Sequence, residues 1–249
     1  MTRREPDAYH SMTYGLGANM KVAQIIAGCL AVIALLVFLF TSNVRVAVSE
    51  VALYASGFDK YHASENTGIA RAELVRAAEE LIQYFNSSEE PVRIEVLRVG
   101  QKIELFTQRE VLHLADVKDL IKRVYSWQAV ALGYLAFFVV LCWLWWRKLW
   151  LKGLAKWLLW GSGITIAVLI VFGLASLVNF EAVFTQFHLI SFVNDLWQLP
   201  ADVYLIRLFP EGFWFDAAMY IAGATALEVI IIGGLSFLWL RRTRNQPGV

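Results

Sequence analysis

FEAVFTQFHLISFVNDLWQLPADVYLIRLFPEGFWFD, residues 180–216, is flanked by two apolar runs that are each long enough to cross a bilayer, so both of its ends are held at a membrane surface. A connecting loop is ordinarily small and polar. This one combines His188, Asp195, Asp202, Glu211 and Arg207 with a high density of Phe and Trp. Working outward, the flanking runs at 157–178 and 216–240 are the third and fourth of four predicted spans, the first two falling at 22–40 and 127–146. Four spans return both termini to one side.

The composition agrees: 58% of the 249 residues are apolar and only 17% charged, against the quarter or so that a soluble domain carries. The expected fold is therefore an all-α polytopic membrane protein. It has four transmembrane helices, a small α+β subdomain at 41–126, and an aromatic, histidine-bearing loop at 179–215. A loose polar tail at 1–21, a short loop at 147–156 and a second tail at 241–249 complete the chain. Arg3, Arg4, Lys21, Arg147, Lys148, Lys152, Lys156, Arg241, Arg242 and Arg244 gather on one side, with only Glu5 and Asp7 against them. That side is the cytoplasm by the positive-inside rule, which puts the subdomain and the aromatic loop outside the cell. Nothing in the charge pattern suggests nucleic acid. Cys29 and Cys142 fall within spans, where thiolate chemistry is suppressed, and read as filler.

Within 41–126, Thr67 is expected to cap a helix whose Leu74, Val75, Ala78, Leu81, Ile82 and Phe85 form one apolar stripe, ending at Asn86-Ser87-Ser88 and Pro91. Val92, Ile94 and Val96 then alternate with charged residues, as do Ile103 and Leu105. Gly100-Gln101 between them suits a two-residue hairpin turn with Gly first. Thr107 and Glu110 make a capping-box pattern that opens a helix running into the second span.

On that helix His113 falls among Val117, Leu120, Ile121 and Val124, with Lys118, Asp119 and Lys122 on the far side. It is either a core histidine satisfied by a neighbour or a functional imidazole. Asp116, one turn on, is placed to orient the ring or to pair with Arg123. If residues 188–198 are helical, His188, Ser191, Asn194, Asp195 and Gln198 share a polar stripe opposite Leu189, Ile190, Phe192, Val193, Leu196 and Trp197. The stripe either faces water from an interfacial helix or carries function. His10 and His62 read as solvated. Pro200 and Pro210 each mark a place where a helical piece can begin, and Arg207 needs Asp202 or a lipid phosphate as partner. Glu228 lies within the fourth span and is expected to be protonated and structural, with Gly223, Ala224, Ala226, Gly233 and Gly234 giving close helix packing. No nucleophile elbow, zinc-protease motif or phosphate loop is present.

HLADVKDL (113–120), FHLISFVNDLW (187–197) and LIRLFPEGFWFD (205–216), together with ENTGIARAELVRAAEELIQYF (65–85), resemble the bacterial lipoprotein intramolecular transacylase family, Lit, over most of residues 50–220. The resemblance implies a plasma-membrane enzyme that moves an acyl chain within a diacylated lipoprotein, from the glyceryl sn-2 oxygen to the cysteine α-amine. The product is a lyso-form lipoprotein. The partners so implied are the lipoprotein and membrane lipid. No cofactor is implied. The family's two essential histidines would correspond to His113 and His188; from the residue reading above, Asp116, Ser191, Asn194, Asp195, Trp197, Asp202 and Arg207 are expected to support them. Glu228 and the polar N-terminus stand outside the resemblance. Two alternatives remain on the sequence alone: a metal-dependent hydrolase or acyltransferase liganded by His113, His188, Asp116 and Asp195, and a non-enzymatic membrane scaffold.

Overall fold

The structure, a computed structural model, describes residues 7–88 and 91–244. It is helical apart from one hairpin: α1 (Asp7–Ser49), α2 (Val51–Lys60), α3 (Ala63–Thr67), α4 (Arg71–Asn86), β1 (Glu95–Arg98), β2 (Gln101–Glu104), α5 (Gln108–Trp146), a 3₁₀ turn (Arg147–Leu149), α6 (Trp150–Val178), α7 (Phe180–Ser191), α8 (Tyr204–Leu208) and α9 (Glu211–Arg244). Three helical stretches contain windows long and apolar enough to cross a membrane, within Asn19–Ser49, Gln108–Val178 and Glu211–Arg244. The middle one is broken by the 3₁₀ turn, where Arg147 has φ of 46°. α1 is helical from Asp7, so most of the tail expected to be loose is not; Met1–Pro6, the last residues 245–249 and the His10 side chain lie outside the description.

The chain forms two compact units. One comprises the described residues up to Phe38, Val130–Thr165 and those from Val229. Here α1, α5 and α6 pack through small residues: a Cβ on Gly28 would sit 2.1 Å from the Trp157 indole, and the Tyr134 hydroxyl donates to the Ala27 carbonyl at 2.9 Å. Phe138 meets Trp157 edge-on and Cys142 is fully buried, while Cys29 is exposed. Of the small residues expected to pack α9, Gly233 lies against Ser162, whereas Gly223 and Gly234 face open space.

The second unit, Leu39–Ala129 and Ile166–Glu228, holds the larger core. The α4 stripe buries Leu74, Ala77, Ala78, Leu81, Tyr84 and Phe85. It packs with Val92, Ile94, Val96 and Leu105 of the hairpin region, with Leu114 and Ile121 of α5, and with Leu205, Leu208 and Phe209 around α8. Three local expectations are corrected here. Thr67 does not cap α4; it ends α3 and accepts from Ile69 N, and the α4 N-cap is Ala70 with no side-chain bond. The hairpin turn is Val99-Gly100, since Arg98 pairs with Gln101; both turn residues have positive φ, a conformation natural for glycine and strained for a β-branched valine. Lys118, expected on the side of α5 away from His113 and its apolar neighbours, is fully buried, its ammonium 4.0 Å from the Tyr84 ring centroid and in hydrogen-bond reach of Ser87 Oγ.

Glu110 forms the expected capping box, accepting from Thr107 N at 2.7 Å, and α5 continues unbroken to Trp146. Its other oxygen accepts from Leu205 N of α8, also at 2.7 Å, and the residue is fully buried. Asp216, at the start of α9, accepts from both Lys60 Nζ (2.6 Å) and Tyr61 Oη (2.8 Å) at the end of α2.

Glu228 has a partner on another helix: Asn43 Nδ2 lies 2.9 Å from its Oε2 and 3.1 Å from Thr225 Oγ1. A glutamine keeps a carbonyl acceptor for that amide, so Glu228→Gln should leave folding and activity intact. Asn43→Leu, which strands the acceptors, should cost about 1–3 kcal/mol. Thermal unfolding in detergent, with activity measured beside it, checks both.

Candidate active site

Asn179 interrupts the helical chain just past the apolar run of α6 and caps α7, its side-chain oxygen accepting from Ala182 N at 2.9 Å. This is an ordinary Asn N-cap with Glu181 in the first turn, a signal present in the sequence and missed by a reading that started the helix at His188. The helix ends at Ser191 because the next residues find local partners. Phe192 turns into extended backbone, Asn194 Oδ1 accepts from Leu196 N, and Gln198 N donates to the Asp195 carbonyl. The expected helix over 188–198 is therefore replaced by α7 followed by an irregular segment, and His188 does not share a helical stripe with Asn194, Asp195 and Gln198.

This puts His188 in the last turn of α7 and directs it toward the first turns of α5. The imidazoles of His113 and His188 lie side by side, ring centroids 6.3 Å apart at 30°, and each residue is only 7% exposed. An aromatic wall surrounds them. His188 is 4.2 Å from the Phe184 ring, 4.9 Å from Trp197 and 5.3 Å from Phe187, and Phe192 stands edge-on to His113 at 5.3 Å.

His188 Nδ1 lies 2.8 Å from the Phe184 carbonyl, which can only accept. In the neutral ring Nδ1 therefore carries the proton and Nε2 is a free base. His113 Nδ1 is buried and has no hydrogen-bond partner among the described residues. Such orphans are uncommon enough to need an explanation, and a site for a substrate atom is one. His113 lies ahead of the apolar run that begins at Trp127, and His188 beyond the one that ends at Val178. Burial pushes the His113 imidazole down to about 4, the neighbouring His188 adds to the shift, and the Asp116 carboxylate opposes it. Burial also lowers His188, against the hydrogen bond to the Phe184 carbonyl. Both rings are thus neutral at neutral pH.

The other candidates fall around this pair rather than in it. Asp116 bonds neither His113 nor Arg123: its Oδ2 accepts from Asn194 Nδ2 at 2.9 Å, and Arg123 turns to the Asp119 carbonyl. Asp195 presents its carbonyl to Arg109 Nη2 at 2.6 Å. Trp197 flanks His188 directly, and Ser191 is half-buried one turn beyond it. Arg207 does not pair with the exposed Asp202; its guanidinium lies over the Tyr204 ring at 5.7 Å. Pro210 directly precedes α9 as expected, but Pro200 opens a turn rather than a helix. His62 is exposed and pairs with Glu65. Among the described residues, no group of three or more His, Cys, Asp or Glu side chains is arranged to hold a metal ion.

Residues 29–214 match the model of the family described as lipoprotein intramolecular transacylase Lit. An uncharacterized protein of Aquifex aeolicus (strain VF5) is 26% identical over 195 residues, which span 76% of this chain and 83% of that protein. The fold is similar to the in meso structure of the membrane-integral lipoprotein intramolecular transacylase Lit from Bacillus cereus, with a TM-score of 0.77 at 20% identity, covering 91% of this chain and 100% of the other. Two structures of that protein, each with one histidine replaced, give 0.73 and 0.74. With the family match running from the first apolar helix through the aromatic segment, this chain belongs to the lipoprotein intramolecular transacylase family and is a membrane enzyme that transfers acyl groups within lipoproteins.

Proposed function

We propose that the chain moves the sn-2 acyl chain of a diacylglyceryl-cysteine lipoprotein to that cysteine's α-amine, at the extracytoplasmic face of a bacterial plasma membrane that it crosses four times. The observation that carries this reading is the buried histidine pair, with one imidazole fixed as a base and the other left with an open nitrogen. Nε2 of His188 takes a proton as the substrate amine attacks the ester carbonyl. The tetrahedral intermediate collapses with cleavage of the acyl C–O bond, and the glyceryl oxygen leaves as a hydroxyl, protonated by way of His113. An amide forms, an ester is lost, and no water is consumed. Proximity comes from the substrate itself, because amine and ester belong to one molecule.

The scaffold alternative falls with the family assignment. Expression in a host whose lipoproteins are diacylated, with N-terminal peptides read by mass spectrometry, tests the proposed regiochemistry. Lyso-form peptides carrying an N-acyl cysteine are expected. An acyl chain lost to water, or moved to a different atom, would refute it. His188→Ala should lower transfer by about 100-fold or more and His113→Ala nearly as far. Ser191→Ala and Thr185→Ala should each keep most activity, because the substrate amine and not an enzyme hydroxyl is the nucleophile. Intact-protein mass spectrometry should accordingly find no acyl group on the enzyme.

The ionisation of the pair gives a second prediction. Folding lowers both pKa values, so between pH 6.5 and about 4 the unfolded chain takes up protons at His113 that the folded chain does not, and stability falls as pH drops through that window. NMR titration of labelled imidazoles should place the His113 midpoint near 4 and that of His188 below 6.5. A His188 midpoint above 6.5 would contradict the burial argument, and one well above the working pH would leave the ring protonated and remove the base. Topology is tested separately: in intact cells, single cysteines replacing Ser88 and Gln198 should react with an impermeant thiol reagent, and one replacing Lys152 should not.

A further inference from the structure

The two imidazoles are too deeply covered for a two-chain lipid ester to reach them as they stand, each being 7% exposed. Much of their cover comes from residues 192–199, which have no regular secondary structure: Phe192 against His113 and Trp197 against His188. Three bonds hold this segment and its continuation to the first turns of α5, one helical turn either side of His113. Arg109 Nη2 donates to the Asp195 carbonyl at 2.6 Å, Asn194 Nδ2 donates to Asp116 Oδ2 at 2.9 Å, and Leu205 N donates to Glu110 Oε1 at 2.7 Å. The three differ in their access to water. The Glu110 bond is buried. The other two are exposed, with the Arg109 side chain 44% and the Asp195 side chain 78% accessible. A bond that water can replace is cheap to open, whereas the buried carboxylate cannot be abandoned without a stranded acceptor. The segment is therefore anchored at Leu205 and loosely fastened at Asn194-Asp195.

We propose that Arg109 and Asp116 are positioning residues for a strap, residues 192–199, which closes Phe192 and Trp197 over the histidine pair and lifts at its Asn194-Asp195 end to admit the acyl ester. The inference rests on the reading of the pair as the place of transfer. Arg109 and Asp116 touch neither imidazole by hydrogen bond and act through the segment they hold. Closing the strap leaves the neutral rings in a water-poor aromatic surround, and opening it exposes the free Nε2 of His188 and the unpartnered Nδ1 of His113.

Diethyl pyrocarbonate, which acylates neutral imidazoles, reads the strap without any lipoprotein. Full-length protein in detergent is treated and each histidine followed by peptide mass spectrometry, with His62, exposed and remote in sequence from the strap, as internal reference. In the unsubstituted protein His113 and His188 should react slowly. Arg109→Ala and Asn194→Ala should each raise modification at both by about fivefold, roughly what one net hydrogen bond is worth in an opening equilibrium, and the double variant should raise it further. Arg109→Lys, which keeps a donor, should restore much of the protection. No increase in any variant would overturn the strap, and so would an equal increase at His62, which signals general loosening. Because the labelling does not depend on transfer, protected histidines that fail to respond would remove the strap and leave the proposed reaction standing. Normal labelling changes beside an inactive chain would do the reverse.

Discussion

Glu110 is the contact on which the local architecture turns. A fully buried carboxylate is tolerable only when its oxygens are occupied, and each of these accepts a backbone N–H at 2.7 Å. One is Thr107 N at the start of α5, where the first amides have no intrahelical partners; the other is Leu205 N in the first turn of α8, which has the same deficit. A single side chain thus satisfies two helix starts and fixes α8 against α5. His113 lies three residues on along the same helix, so its position is referred to that junction. The chain between α7 and α8 has to close the distance from His188 to Leu205 without a helix, and its path brings Phe192 and Trp197 against the two rings.

Much of this was legible because it is local and periodic. The capping box at Thr107 and Glu110, the apolar stripe of α4 and the burial of His113 on α5 follow from residue spacing alone, and spacing is what a helix converts into geometry. The family likewise showed itself in motifs whose order survives as written. The second role of Glu110 was not visible, because its partner is a backbone amide 95 residues away and carries no side-chain signal.

Where the reading failed, local polar chemistry overruled periodicity. Residues 188–198 satisfy a helical wheel, yet Asn194 prefers to bond Leu196 N, and Asn179 starts the helix about two turns earlier. The wheel therefore grouped residues that the fold separates. Lys118 was placed by helical spacing on the side of α5 away from His113, and a long apolar stem and the face of Tyr84 let its ammonium be buried there. Asp116 was expected to orient an imidazole one turn away or to pair with Arg123, and it serves Asn194 instead. The hairpin slipped by one residue because a valine occupies the left-handed position that glycine was expected to fill.

The features that remain unusual fit together if water is the competitor to be defeated. An ester near a general base can be hydrolysed in competition with attack by an amine, and the amine is favoured when water is scarce and the amine is held close. In the proposed transfer the substrate supplies the amine, so the protein has to supply dryness and a base that does not need charge. Burial provides both at once: it excludes solvent through Phe184, Phe187, Phe192 and Trp197, and it lowers the histidines so that they rest neutral. A carboxylate bonded to either ring would raise its pKa and bring water with it, which gives a physical reason for Asp116 to be engaged by Asn194 and for the Phe184 carbonyl, an uncharged acceptor, to set the His188 tautomer.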